Sequence, residues 1–371
     1  MQNGRAMREP GPIMQELQSP LLSIIIPTRD RASDLRLCLD ALHRAKIERM
    51  ECIVVDDGSL QDCAAVVQSS PLHATLIRNP HSRGSGAARN IGAAVAQGDV
   101  LLFIDDDVCV EPASLTAVIE AFQTDPSLGA VMGRYDDAPA GAGFLSRFRN
   151  LLHAYTHRIS AGAASTFWTG FGAVRASIFR EHGGFTERAR AIDDVEFGAR
   201  LAASGVRIEL RPDLQVKHLK RWTLGSMLKT DLLLRGVPWT LLLWRRRSVP
   251  NTLNLRHSSR WSVMLACLTI AFALLSLLAS LPWIVPVLSV ALVLLLNLKF
   301  YGFLGARYGV LFALRGVAAH WLYLWIAALS FFIGTAVYLA QRFSARSPQS
   351  AVAHSPAERA KEPVPPLAEA G

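Results

Sequence analysis

Three consecutive carboxylates close an apolar run in LLFIDDDVCV, residues 101–110. Clustered acids at the end of a buried strand repel one another unless a positive partner arrives. In D-x-D spacing, Asp105 and Asp107 can approach one oxygen-loving cation, with Asp106 between them. Mg²⁺ or Mn²⁺ is held this way through one or two carboxylates, while a diphosphate supplies further oxygens. Read alone, the stretch has a solvated acidic turn as its lesser alternative. Other acids stand in comparable places: Asp56 and Asp57 in ECIVVDDGS, and Asp193, Asp194 and Glu196 in IDDVEFGARLAASG. The last group also suits the first turn of a helix, which favours acids.

The elements that must position these residues are visible as continuous apolar runs. LLSIII, ECIVV, ATLIR and VLLFI read as strands, the first stopped by Pro27. Helical patterns separate them: about 33–45 with Ser33 as cap, about 61–68, and a Gly/Ala-rich helix ending near Ala96. Alternation of this kind predicts an α/β domain whose mostly parallel sheet is covered on both faces. Ligands of such sheets bind outside the carboxyl ends of the strands. Pro27-Thr28-Arg29, Asp56-Asp57 and Asp105-Asp106-Asp107 should therefore line one rim. NPHSRGSGAARNIG should bring Arg83 and a helix N-terminus towards it, without the Gly-Lys-Ser/Thr of a P-loop.

From Trp261 the composition changes. Segments 261–281 and 283–298 carry no charge, and 317–339 holds only His320 as a possible charge. About 20 apolar residues cross a bilayer as a helix, so the first and third qualify. The second qualifies if it runs on through Lys299-Phe300-Tyr301. Two or three membrane helices are expected. Between Lys217 and Arg260 the basic excess is nine, equal to the formal net charge of the whole chain, +9, with Trp222, Trp239 and Trp244 interleaved and Trp261 directly after. Basic residues beside a span mark the cytoplasmic side, and tryptophan favours the headgroup layer. The partner expected for this patch is membrane lipid rather than nucleic acid. The Leu281-Pro282-Trp283 turn would face outward and a loop bearing Lys299, Arg307 and Arg315 inward. Five cysteines without CxxC spacing suggest neither a zinc site nor a disulfide framework. The start reads as a loose tail without a secretory h-region, and the end as a disordered one.

SIIIPTRDR, IVVDDGS, GAARNIGAAVAQGDVLLFIDDDV, TGFGAVRASIFREHGGFTE, IDDVEFGARLAASG and VKHLKRW occur in one order across about 21–222. This set resembles the family 2 glycosyltransferases, whose fold is the nucleotide-sugar-binding GT-A type. The resemblance implies a GT-A domain over 21–222 after a flexible tail, 1–20. A basic, Trp-rich interfacial segment over 223–260, membrane helices over 261–340 and a tail over 341–371 would follow. It implies an inverting transfer from a UDP- or GDP-sugar to a lipid-linked or saccharide acceptor, at the inner membrane, with the catalytic domain facing the cytoplasm. Pro27, Thr28 and Arg29 would flank the nucleoside, Asp57 with Asp56 would accept hydrogen bonds from base or ribose, and Arg83 would approach the diphosphate. Asp105 and Asp107 would hold Mg²⁺ or Mn²⁺, Asp107 more closely, with Asp106 beside the donor. Asp194 would be the general base, taking the acceptor's proton. Asp193 stands where the family has Glu. Gly170-Phe171-Gly172 would form an acceptor-site loop. GGFTE lacks the family's usual Asp after Phe.

In HLKRW, His218 replaces the Gln of the processive synthases' Gln-x-x-Arg-Trp, with Arg221-Trp222 kept on the acceptor side. His218 is then expected to serve the metal or diphosphate, and transfer of a single sugar is favoured. The runners-up are a sugar nucleotidyltransferase, whose glycine-rich, lysine-containing signature is missing from PTRDR, and a signalling or scaffold module with an acidic pocket. The latter leaves residues 170–222 unexplained.

Overall fold

The computed structural model describes residues 22–60, 63–187 and 191–344. The expected tail at 1–20 and residues 345–371 of the one expected at 341–371 lie outside these residues, as do Leu21, Gln61 and Asp62. Nine strands form one sheet: β1 (Leu22–Thr28), β2 (Met50–Asp56), β3 (Thr75–Arg78), β4 (Val100–Ile104), β5 (Val108–Val110), β6 (Ala130–Tyr135), β7 (Gly162–Ala164), β8 (Phe171–Arg175) and β9 (Ile208–His218). The order is β3-β2-β1-β4-β8-β6-β9-β5, with β7 paired to β9. Pairings β3-β2-β1-β4 are parallel. In the other half β8 runs antiparallel to β4 and β6, β5 and β7 antiparallel to β9, and only β6 and β9 pair in parallel. The parallel pattern expected from the sequence is therefore confined to the first half.

The helices of the α/β part are α1 (Ala32–Ala45), α2 (Ala64–Ser69), α3 (Ser85–Val95), α4 (Pro112–Thr124), α5 (Phe144–Arg158), α6 (Ala176–Glu181) and α7 (Asp193–Ala203). Strand residues alternate between two cores. Ile24, Ile26, Val54, Leu102 and Ile104 pack under α1, α2 and α4. Ile25, Ile53, Val55, Leu101 and Phe103 pack under α3, α6 and α7. Burial on both faces explains why these strands are apolar throughout. Ser33 is not the cap of α1; the helix starts one residue earlier, with Arg31 at the N-cap position.

β1 is the switch point of the sheet, with β2 on one side and β4 on the other. Pairing with β4 stops at Ile25, whereas pairing with β2 continues to Thr28. Pro27 does not stop β1: it lies within the strand but beyond the β4 ladder, where its missing N–H costs no bond on that side. The two chains diverge there, and the crevice between them is where open α/β sheets bind ligands.

After β9 come α8 (Leu224–Lys229), a π-helical turn (Thr230–Gly236), α9 (Val237–Arg246), α10 (His257–Leu278), α11 (Ile284–Leu296), α12 (Leu298–Tyr308) and α13 (Val310–Ser344). α10 and α13 are long and apolar enough to cross a membrane. α11 and α12 meet at a 60° bend. The second apolar segment is thus not one straight span through Tyr301. α11 has 13 residues, about 20 Å of helix against a hydrocarbon core of about 30 Å. Lys299 and Arg307 lie on α12 and Arg315 on α13, not in a loop, and Gln341–Ser344 extend α13 rather than starting a tail.

α12 packs on α5 through Phe148, Leu151, Phe300 and Leu304. α13 crosses α9 and the π turn closely, because a Cβ on Gly236 would overlap Ser330 and one on Gly334 would overlap Thr240.

Candidate active site

The crevice beside β1 is a polar cleft of about 520 Å³. Pro27, Thr28, Arg29, Asp57 and Asp105–Asp107 line it, with His218 and Trp222 from the far side. A second, largely apolar cavity of about 1230 Å³ begins at Asp194 and Trp168 and extends between α9, α10 and α13. The two are adjoining: Arg149, His153, Ala191 and Arg235 border both.

The cation that meets the acidic run comes, within the chain, from two arginines the sequence reading passed over. Arg31 Nη1 donates to Asp106 Oδ1 at 3.0 Å and to Asp107 Oδ2 at 2.9 Å. Asp106 also accepts from Thr28 Oγ1 at 2.8 Å. Arg89, buried in α3, donates to Asp105 Oδ1 at 2.6 Å and to Asp193 Oδ2 at 3.2 Å. Asp105 and Asp107 thus lean on different partners. Burial, then repulsion from Asp105, pushes Asp107 up to about 7 despite Arg31.

His218 Nε2 lies 3.7 Å from Asp107 Oδ1, too far for a hydrogen bond. Burial, then the charge of Lys220, lowers His218 to about 3, so its ring is neutral and offers a lone pair. It is stacked on Tyr135 at 4.1 Å, and Tyr135 is aimed there by a register shift between β6 and β9 at Gly133. A neutral imidazole and a carboxylate that face each other in this way are the donor types that would hold a divalent cation. Among the described residues no three His, Cys, Asp or Glu side chains converge as a metal cage. Such an ion would need oxygens from a ligand and water. A carboxylate with an imidazole favours Mn²⁺ over Mg²⁺.

Asp57 has other work than meeting a base. Its oxygens accept from Asn79 Nδ2 (2.9 Å), Ser82 Oγ (2.7 Å), Arg83 N (3.0 Å) and Gly84 N (2.8 Å). Burial alone would raise its pKa; these donors outweigh it and hold the carboxyl below its ordinary range. A carboxylate has about four lone-pair sites, so Asp57 is filled in shaping the loop before α3. Asp56 Oδ1 accepts from Ser59 N, whereas its buried Oδ2 has no hydrogen-bond donor. Asp56 does not border the cleft. The Arg83 side chain also points away from it, pairing with Glu187 at 2.8 Å.

Asp194 stands in the first turn of α7 and borders the apolar cavity. Its Oδ1 accepts from Val195 N at 2.7 Å, and Oδ2 lies 3.4 Å from Thr169 N. Burial, then repulsion from Asp193, raises it to about 6. A carboxylate so poised is a competent proton acceptor near neutral pH. Asp193 borders neither cavity and is committed to Arg89. Gly170, Phe171 and Gly172 lie beneath the site rather than in it. Phe171 is fully buried, and side chains at the two glycines would overlap Trp168 and Phe167. Their part is to let Trp168 fold back against the cavity. Arg221 is exposed and borders neither cavity, whereas Trp222 lines the cleft under Lys220 Nζ, 4.2 Å from its ring.

His153 is a further residue the sequence did not reveal. It reaches the junction of the cavities from α5, stacked on His157 at 3.9 Å. Burial, then His157, lowers it well below the ordinary histidine value.

Residues 23–183 match the family model for glycosyl transferase family 2; the match ends before Asp194 and His218. An uncharacterized glycosyltransferase of Haemophilus influenzae is 28% identical over 179 residues, 48% of this chain and 60% of its own. The pre-mycofactocin glycosyltransferase of Mycobacterium tuberculosis is 30% identical over 209 residues, 53% of this chain and 42% of that one. This chain therefore spans less than two thirds of either relative. A mannosyltransferase from Pyrobaculum calidifontis, solved in complex with GDP-Man and Mn²⁺, shares the fold with a TM-score of 0.60. It is 20% identical, over 85% of this chain and 88% of that one. The α/β part has the GT-A fold.

Proposed function

From the match of residues 23–183 to the family 2 glycosyltransferase model, and the relatives that resemble the chain, we propose that it is a member of that family and transfers a sugar from a nucleoside-diphosphate sugar to a lipid-linked acceptor, with inversion. The observation that carries this reading is the junction of the two cavities. A polar cleft with Asp107 and His218 opens beside Asp194 into an apolar cavity bordered by the membrane-type helices. The sugar donor occupies the first and the acceptor the second.

Asp107 and His218 would hold Mn²⁺ or Mg²⁺, which when bound offsets charge on the departing diphosphate. Asp105, tethered to Arg89, borders the same diphosphate. Thr28 and Arg31 keep Asp106 and Asp107 in place, and Pro27 and Arg29 flank the nucleoside. Asp194 takes the proton of the acceptor hydroxyl as its oxygen attacks the anomeric carbon from the side opposite the leaving group. The catalytic domain lies on the cytoplasmic side of the inner membrane, and α10 and α13 cross it.

The test is a panel of UDP- and GDP-sugars offered to the full-length protein in nanodiscs, with Mn²⁺ or Mg²⁺. One donor is expected to raise the unfolding temperature only with metal, and to release nucleoside diphosphate when membrane lipid extract is added. No metal-dependent response to any donor would overturn the assignment.

A pH dependence follows from Asp107. Proton and cation compete for a carboxyl raised to about 7, and below that pH the proton prevails. Stabilisation by Mn²⁺ should therefore be larger at pH 8 than at pH 5.5, as read by thermal unfolding. His218→Ala should weaken Mn²⁺ binding by more than the about 10–100-fold that loss of an outer-shell partner costs, measured against the variant's own metal-free unfolding temperature, because the substitution also empties a buried place stacked on Tyr135. Equal Mn²⁺ titrations for the two proteins would remove His218 from the site.

A further inference from the structure

Arg235 lies on the π-helical turn Thr230–Gly236, and such turns often mark functional sites. It borders both cavities. Among the described residues it has no carboxylate or carbonyl partner, unlike Arg31, Arg89 and Arg149. Its charge nonetheless reaches Asp194, His153, His218 and Lys220. Arg149 faces the same junction, with Nη2 2.7 Å from Asp231 and a buried Nε that lacks an acceptor. Lys220 completes the group from the cleft side. Asp231 is spent on Arg149, and the residues that border both cavities include Arg149 and Arg235 but no carboxylate, beside an apolar wall of Trp239, Leu243, Trp244, Leu268 and Phe331.

The basic run 245–247 is less suited to this place. Arg245 bonds Gln341, and Arg246 bonds Glu196 and Ala199. Arg247 borders the apolar cavity but not the cleft.

We propose that the junction is a binding site for the phosphate of a phosphate-linked long-chain lipid, with Arg235 as its main ligand and Arg149 beside it. The chain runs along the apolar wall between α9, α10 and α13. The donor's diphosphate belongs with Asp107 and His218, on the other side of Lys220. This inference rests on the reading that the acceptor is lipid-borne, and it adds the chemical group by which the lipid is recognised.

Full-length protein in detergent micelles is titrated with farnesyl phosphate and, separately, with farnesol, read by intrinsic tryptophan fluorescence. The phosphate should tighten binding about tenfold or more, the scale of a charge-assisted contact. Arg235→Ala should erase that advantage without changing farnesol affinity, and Arg235→Lys should restore part of it. Since Arg235 has no hydrogen-bond or ion-pair partner among the described residues, the unfolding temperature of Arg235→Ala should match the wild type.

UDP or GDP with Mn²⁺ should not displace the farnesyl phosphate. Displacement would assign Arg235 to the donor instead and overturn the proposal. Equal affinity for both probes, or a phosphate preference surviving in Arg235→Ala, would also overturn it, while leaving a lipid acceptor standing. Failure of both probes to bind would end both readings. Displacement of farnesyl phosphate by phosphatidylglycerol at equal concentration would mark the junction as a bulk-lipid contact and overturn the assignment.

Discussion

Asp194→Asn is expected to lower turnover by about 10²–10⁴-fold, the range for loss of a positioned general base, with donor and metal affinity unchanged. The amide keeps the shape, and its oxygen can still accept from Val195 N, but it cannot take a proton. The wild-type profile supplies a second reading. Asp194 is raised to about 6 and must be ionised to act, so kcat should climb as pH passes through about 6 and level off above it. Burst analysis with saturating donor separates this from binding. Undiminished turnover in the Asp194→Asn protein would exclude this carboxylate as the base.

The second large effect is on stability. Arg89→Met removes from α3 the cation shared by Asp105, just after β4, and Asp193, at the start of α7. Breaking a buried ion network by taking out one member costs about 3–5 kcal/mol, because the remaining charge is left unpaired. Without Arg89, Asp193 gains a further rise in pKa, so its folded form binds protons more readily than the unfolded chain does. Stability then falls as pH rises above the ordinary carboxylate range. The variant should accordingly be less crippled at pH 5 than at pH 8 in thermal unfolding. Arg89→Lys, which keeps one charge but not the two-armed geometry, should be intermediate. An Arg89→Met protein as stable as the parent at pH 8 would show that the network carries no energetic weight.

The residues that were legible in the chain are those whose signal is local. β1, β2 and β4 announce themselves as apolar runs closed by Pro27, Asp56 and Asp105, because a strand buried on both faces has no polar positions to blur it. The strand-end rule then places Thr28 and Asp105–Asp107 at one crevice. What was not legible depends on contacts between distant positions. Arg31 and Asp107 are 76 residues apart, and Arg89 and Asp193 are 104 apart, so nothing in PTRDR or GAARNIG marks either arginine as a tether. His153 lies on an ordinary amphipathic helix and reaches the site only because α5 packs on β6. Gly170 and Gly172 looked like a flexible ligand loop, whereas a neighbouring tryptophan occupies the room their missing side chains leave. The second half of the sheet mixes strand directions through β8, whose five residues carry no sign of orientation.

The bend at Asn297 has a mechanical consequence. Because α12 turns away from the apolar bundle and its aromatic side chains grip α5, the catalytic unit is clamped to its anchor rather than dangling from a tether. With α10 and α13 in a bilayer, as proposed, Asp194 would stand at one fixed altitude above the lipid. Reach would then become a criterion of selection: a recipient whose reactive end sat too high or too low would be refused by distance alone, whatever its chemistry.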